Sequence, residues 1–217
     1  MNHPLPMSLA PFLALLPIAL LSGCASTPRL APLPAPQEAF WDALSSHCGK
    51  AYAGALASGD ARDAAMRDRA MIAHWARCQP DSIAVAFHIA DPEAPDGWNR
   101  SRTWVVTRHA DGLRLKHHHY HADAKADAVT LYGGDTLSSG TAQLQDFPVD
   151  AYSQALFERE GLDASLTNVW RVEVDAAGTP GARFAYQLTR RNDPTRLFRV
   201  AFDLTQGVAP PPGAWGW

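Results

Sequence analysis

Apolar and polar residues alternate along much of the chain. In the clearest case Trp170, Val172 and Val174 alternate with charged residues. A period of two is typical of a strand with one buried face. The segments with this pattern lie around residues 83–89, 102–108, 113–121, 129–132, 170–174, 184–188 and 198–204. With the shorter candidates included, we predict roughly eight strands in a mainly β domain.

The links between these strands are short and contain turn residues. Asp111-Gly112 is a hairpin signal, and Gly133-Gly134 is predicted to be a tight turn. Hairpin links favour an antiparallel barrel or sandwich over a parallel α/β sheet. Since a closed barrel leaves no exposed strand edge, we predict an antiparallel up-and-down barrel of lipocalin or calycin type.

Two helices are expected beside the barrel. Phe40, Leu44, Cys48 and Tyr52 recur every four residues, which predicts an amphipathic helix over 38–52 that closes one end of the barrel. A second short helix is predicted over 151–160, with the preceding aspartate as its cap. Residues 60–70 are polar and rich in alanine, and are compatible with helix or loop.

The N-terminus has the pattern of a bacterial lipoprotein. A short apolar run ends in Leu21-Ser22-Gly23-Cys24, which is typical of a lipobox. We expect residues 1–23 to be a signal peptide and Cys24 to carry a lipid anchor; an ordinary signal peptide with an incidental cysteine is the alternative. Ala25 favours the outer membrane over the inner one, so the predicted location is the outer membrane with the domain facing the periplasm.

The composition of residues 24–217 indicates the domain organisation. Residues 24–36 are a proline-rich tether, residues 37–208 suit a single domain, and residues 209–217 form a Pro/Trp tail that we expect to dock on it. The formal net charge of −3 gives no basic patch for nucleic acid. Cys48 and Cys78 are an even pair in an oxidising compartment and are predicted to form a disulfide, with two separate buried thiols as the alternative.

One cluster of histidines could bind a metal ion. If the strand that starts at Leu113 and Leu115 stays extended, His117, His119 and His121 follow on the same inward face. Imidazoles at positions i and i+2 can share a divalent transition metal, with zinc preferred. Asp123, or Asp135 from a neighbouring strand, is the candidate additional ligand.

Several stretches together resemble an uncharacterised family of small secreted bacterial proteins. The matching stretches are Phe40-Trp41-Asp42-Ala43-Leu44, Cys48-Gly49-Lys50-Ala51-Tyr52, Ser101-Arg102-Thr103-Trp104-Val105, Gly112-Leu113-Arg114-Leu115-Lys116-His117, Tyr132-Gly133-Gly134-Asp135-Thr136, Asn168-Val169-Trp170 and Phe202-Asp203-Leu204-Thr205. The resemblance implies a single envelope domain with a Lys-His-x-His-x-His strand, and no particular activity. Residues 59–70 depart from the family pattern, because they are rich in Ala and Arg where that family has a second strand.

Three functions fit these observations. The first is a lipid-anchored binding module that holds a metal ion or small ligand inside the barrel. The second is a metal-dependent hydrolase or oxidoreductase that uses the same histidines, with Asp123 or Asp135 as ligand or general base. The third is a structural envelope protein with no specific ligand.

Overall fold

A computed structural model of the chain describes residue 1, residues 32–94 and residues 96–217. Apart from residue 1, the predicted signal peptide lies outside the described residues, as do Cys24 and most of the tether. Within the described part are two helices, α1 (Ala35–Ser45) and α2 (Ala151–Arg159), and two 3₁₀ segments, Ala61–Met66 and Asp163–Ser165. The strands are β1 (Ala51–Leu56), β2 (Met71–Gln79), β3 (Ser82–Ala90), β4 (Trp98–His109), β5 (Gly112–His119), β6 (Tyr132–Asp135), β7 (Leu144–Pro148), β8 (Asn168–Val174), β9 (Arg183–Arg190) and β10 (Asp193–Gly207).

The strands form an antiparallel up-and-down barrel that is nearly closed. Consecutive strands pair with each other except for β6 and β7, and β1 pairs with β10. The gap between β6 and β7 is spanned by a bridge between Gly134 and Val149, and the Asp150 N–H donates to the Gly133 carbonyl at 3.0 Å. The predicted barrel of lipocalin type is therefore confirmed, with ten strands where the pattern indicated about eight.

The close approach of β6 to the strands on either side of it explains two glycines. Gly133 and Gly134 lie inside β6, so the prediction of a tight turn was wrong. A Cβ on Gly133 would approach the Leu115 carbonyl to 1.8 Å, and one on Gly134 would approach the Pro148 carbonyl to 1.8 Å. The glycines are required because the backbones of neighbouring strands come too close for any side chain.

Helix α1 is shorter than predicted. It ends at Ser45, and Tyr52 lies in β1 with its side chain in the core. Gly49 has φ of 77°, a left-handed conformation that cannot continue a helix. The helix does lie at one end of the barrel, where Glu38 pairs with Arg108 at 2.8 Å. Helix α2 begins as predicted, since the Asp150 side chain accepts from the N–H of Ser153.

Two further predictions are confirmed. Cys48, in the turn after α1, forms a disulfide with Cys78 in β2. The C-terminal tail, residues 209–217, docks on the outer face of the barrel, where the Trp215 N–H donates to the Arg100 carbonyl at 3.0 Å. The Arg77 guanidinium lies 4.8 Å from the centre of the Trp217 ring. Among the described helices, none combines the length and apolar character needed to cross a bilayer.

Candidate functional site

The barrel holds a cavity of about 260 Å³ that opens to solvent on one side. It lies away from α1, toward the end that carries the segment Ala61–Met66 and the C-terminal part of α2. Its lining combines aromatic rings with a small set of polar side chains. The lining residues are Asp63, Met66, Phe87, Arg102, Trp104, His117, His119, Val129, Tyr132, Phe157, Leu162, Ser165, Asn168, Trp170, Tyr186, Leu188, Arg190, Arg196 and Phe198.

Aromatic rings from opposite walls meet inside the barrel. Trp104 of β4 and Tyr186 of β9 are stacked with centroids 4.4 Å apart and planes within 14°. Phe87 is also stacked on Trp104 at 4.7 Å. Trp104 and Trp170 are 4% and 1% exposed, so both belong to the core and also form the cavity wall. An aromatic, apolar lining of this kind suits an aromatic or aliphatic ligand.

His117 lies at the buried side of this cavity. It follows Leu113 and Leu115 on the inward face of β5 and is 2% exposed. Its Nδ1 lies 3.1 Å from the backbone carbonyl of Tyr132, and its Nε2 lies 2.7 Å from Oη of Tyr186. Burial lowers the pKa of His117 to about 3, so the ring is neutral at pH 7.

His119 is the second imidazole on this face. Its Nε2 lies 3.2 Å from Oη of Tyr132, and burial together with the positive charge of Arg102 lowers the pKa of His119 to about 4. Burial raises the pKa of Tyr132 to about 12, so its phenol stays protonated. The cavity therefore contains two neutral histidine–tyrosine pairs, His117 with Tyr186 and His119 with Tyr132.

The other residues of the predicted metal site lie outside the cavity. The chain leaves β5 after His119, and the side chain of His121 is 60% exposed and 3.4 Å from the Asp127 carboxylate. Asp123 is 52% exposed and pairs with Lys125. Asp135 pairs with Arg114 at 2.6 Å, with both side chains about two-fifths exposed. The structure thus brings together His117 and His119 only, and within its described ranges no group of three or more His, Cys, Asp or Glu residues is placed to hold a metal ion.

Sequence reasoning missed the arginines of the cavity. Arg102 shares its strand parity with Trp104, and Arg190 shares its parity with Tyr186. These positions were therefore detectable as inward-facing charges by the same count that selected the histidines. The third arginine, Arg196, is 10% exposed and pairs with Asp63 at 2.6 Å.

The comparisons with known proteins give no relative from which to transfer a function. No protein-family model, no curated protein and no solved structure matches this chain.

Proposed function

We propose that the protein is a binding module that holds a small, mainly apolar organic molecule in the cavity of its barrel. The observation that carries this proposal is the solvent-accessible cavity of about 260 Å³ with stacked aromatic walls and converging polar groups. Ligand sites are typically concave and mostly apolar, with a few polar groups that fix orientation. The volume lies just below the ~300–1,000 Å³ typical of ligand pockets, which favours a small ligand.

The proposal includes the location expected from the sequence. A lipid on Cys24 would hold the barrel at the outer membrane, with the membrane as its partner and the cavity facing the periplasm. Metabolic labelling with a radioactive palmitate in a bacterial host tests this part. Label is expected in the wild-type protein and absent from Cys24→Ala, and equal labelling of both would contradict the anchor.

A cavity-filling variant tests the binding function. The neutral fluorophore N-phenyl-1-naphthylamine is titrated into the purified domain, and its emission is expected to rise as it enters the cavity. Leu188 lines the cavity, whereas Leu197 is 40% exposed on a neighbouring strand. Leu188→Trp should therefore weaken binding by about tenfold or more by occupying the site, while the matched Leu197→Trp should bind as the wild type does.

Two outcomes would contradict the binding function. The first is a wild-type protein that does not bind this neutral probe. The second is equal binding by Leu188→Trp and the wild type, which would place the probe on the surface of the barrel.

A further inference from the structure

The cavity lining carries more positive than negative charge. Three arginines line it, Arg102, Arg190 and Arg196, against one carboxylate, Asp63. Asp63 is already bound by Arg196 through two hydrogen bonds, of 2.6 and 2.9 Å. The two histidines of the lining are neutral at pH 7, as derived above. Two positive charges are therefore left without a carboxylate from the lining.

Arg102 and Arg190 are the two arginines without a carboxylate. Arg102 donates to Oγ of Ser101 at 3.1 Å, and Arg190 donates through Nε to Oδ1 of Asn168 at 3.1 Å. Across the described part of the chain, neither forms a salt bridge within 4.0 Å. Burial lowers the pKa of Arg190, and the charges of Arg196 and Arg62 lower it further, while Asp193 and Asp60 act in the opposite direction. An anion that entered the cavity would offset the desolvation of Arg190 and its repulsion by the neighbouring arginines.

Arg102 and Arg190 both line the cavity, and strand register places them nearer than Trp104 and Tyr186 to the barrel end that lies away from α1. Trp104 and Tyr186 stack across the barrel, and Arg102 lies two residues from Trp104 on the same face of β4. Arg190 lies four residues from Tyr186 on the same face of β9. It is at the end of the strand, where its backbone lies opposite that of Asp193 in β10. A ligand in the cavity would therefore have aromatic walls on the side toward α1 and two arginines toward the opposite end of the barrel.

We propose that the ligand is an organic carboxylate, with its acid group bound by Arg102 and Arg190 and its apolar body packed against Trp104 and Tyr186. This inference rests on the proposed function of the cavity. The guanidinium group matches the planar geometry of a carboxylate and binds it through paired, charge-assisted hydrogen bonds. Since each of the two arginines donates one side-chain hydrogen bond within the described part of the chain, donors remain for the ligand.

A matched pair of probes tests the charge requirement. The probes are 2-naphthoate and 2-naphthamide, which have the same ring and nearly the same shape but differ in charge at pH 7. Dissociation constants are measured by isothermal titration calorimetry. The wild type is expected to bind the naphthoate about tenfold or more tightly than the naphthamide, since each hydrogen bond to a charged group is stronger than its neutral counterpart.

Three variants assign the preference to the arginines. Arg102→Gln and Arg190→Gln should each reduce the ratio of the two dissociation constants by about threefold or more, while naphthamide binding stays close to that of the wild type. Arg114→Gln is the matched control, because Arg114 lies outside the cavity and pairs with Asp135. It should leave the ratio unchanged. Far-ultraviolet circular dichroism confirms that each variant is folded.

The outcomes separate this inference from the proposed function. If the wild type binds naphthamide as well as naphthoate, or if both arginine variants keep the wild-type ratio, the carboxylate assignment is overturned and the cavity still binds apolar molecules. If the wild type fails to bind N-phenyl-1-naphthylamine, the proposed function is overturned, and the carboxylate assignment, which rests on it, is overturned with it. If the wild type binds neither naphthyl probe but does bind the larger fluorophore, only the carboxylate assignment fails.

Discussion

The imidazole of His117 accepts a hydrogen bond from the phenol of Tyr186, with 2.7 Å between Nε2 and Oη. The direction follows from the other ring nitrogen. Nδ1 lies 3.1 Å from the backbone carbonyl of Tyr132, which can only accept, so Nδ1 carries the proton. Nε2 of the neutral ring is then an acceptor and Tyr186 must donate. Both nitrogens of His117 are thus used by the protein itself.

Removal of the Tyr186 hydroxyl should destabilise the fold. Tyr186→Phe leaves Nε2 of His117 buried without its donor, and an unsatisfied buried group costs about 1–3 kcal/mol. The free energy of unfolding, measured by urea denaturation, should fall by this amount. Tyr152→Phe is the control, because Tyr152 is 54% exposed, and it should change stability by less than about 0.5 kcal/mol. Equal stability of the two variants would show that the bond to His117 contributes nothing.

The inward direction of His117 could be predicted because it depends only on strand parity. Leu113 and Leu115 are buried, and the strand stays regular through His119. The direction of His121 could not be predicted, because it depends on where pairing stops. Beyond His119 the His121 N–H donates to the Lys125 carbonyl, and Ala124 has φ of 63°. This tight turn carries His121 and Asp123 away from the cavity.

The barrel could be predicted from the alternation of apolar and polar residues. The junction between β6 and β7 and the first strands could not. Gly133 and Gly134 have the composition of a turn, and only the close approach of Leu115 and Pro148 shows why a strand needs them. The four-residue spacing of apolar residues also wrongly predicted that α1 extends to Tyr52. Tyr52 is buried because it lies on the inward face of β1, and single-sequence periodicity cannot distinguish that burial from a helical one.

Acid should weaken the fold through its buried histidines. Burial lowers the pKa of His88 and His119 to about 4 and that of His117 to about 3, against about 6.5 in an unfolded chain. Between pH 6.5 and pH 4 the unfolded chain therefore binds more protons, so stability falls as the pH falls. The slope should reach up to about 1.4 kcal/mol per pH unit for each such histidine. Urea denaturation at pH 5, 6 and 7 measures it.

His88→Met isolates one of these contributions. His88 is fully buried, and neither of its ring nitrogens has a hydrogen-bond partner among the residues that the structure describes. The variant should lose part of the pH slope and should be more stable than the wild type at pH 5. His109→Met, at an exposed position at the end of β4, should keep the wild-type slope. An unchanged slope in His88→Met would show that His88 does not resist protonation in the folded protein.

The disulfide between Cys48 and Cys78 should contribute substantially to stability. The two cysteines are 30 residues apart in the sequence, and the chain-entropy model gives about 3–4 kcal/mol for a loop of this length. Reduction of the wild type should lower the free energy of unfolding by about this amount. The double variant Cys48→Ala/Cys78→Ala should match the reduced protein and respond no further to reductant. A wild type that is equally stable in both redox states would contradict this prediction.

Zinc should not occupy the histidine pair. A zinc site needs three or four ligands, and the described residues bring only His117 and His119 together. Coordination of zinc by Nε2 of His117 would also break its hydrogen bond with Tyr186. The buried phenol would then have no acceptor. Tag-free protein dialysed against zinc and analysed by plasma mass spectrometry should therefore have the same zinc content as His117→Ala/His119→Ala. One zinc ion per chain that is lost in the double variant would instead support the metal site expected from the sequence.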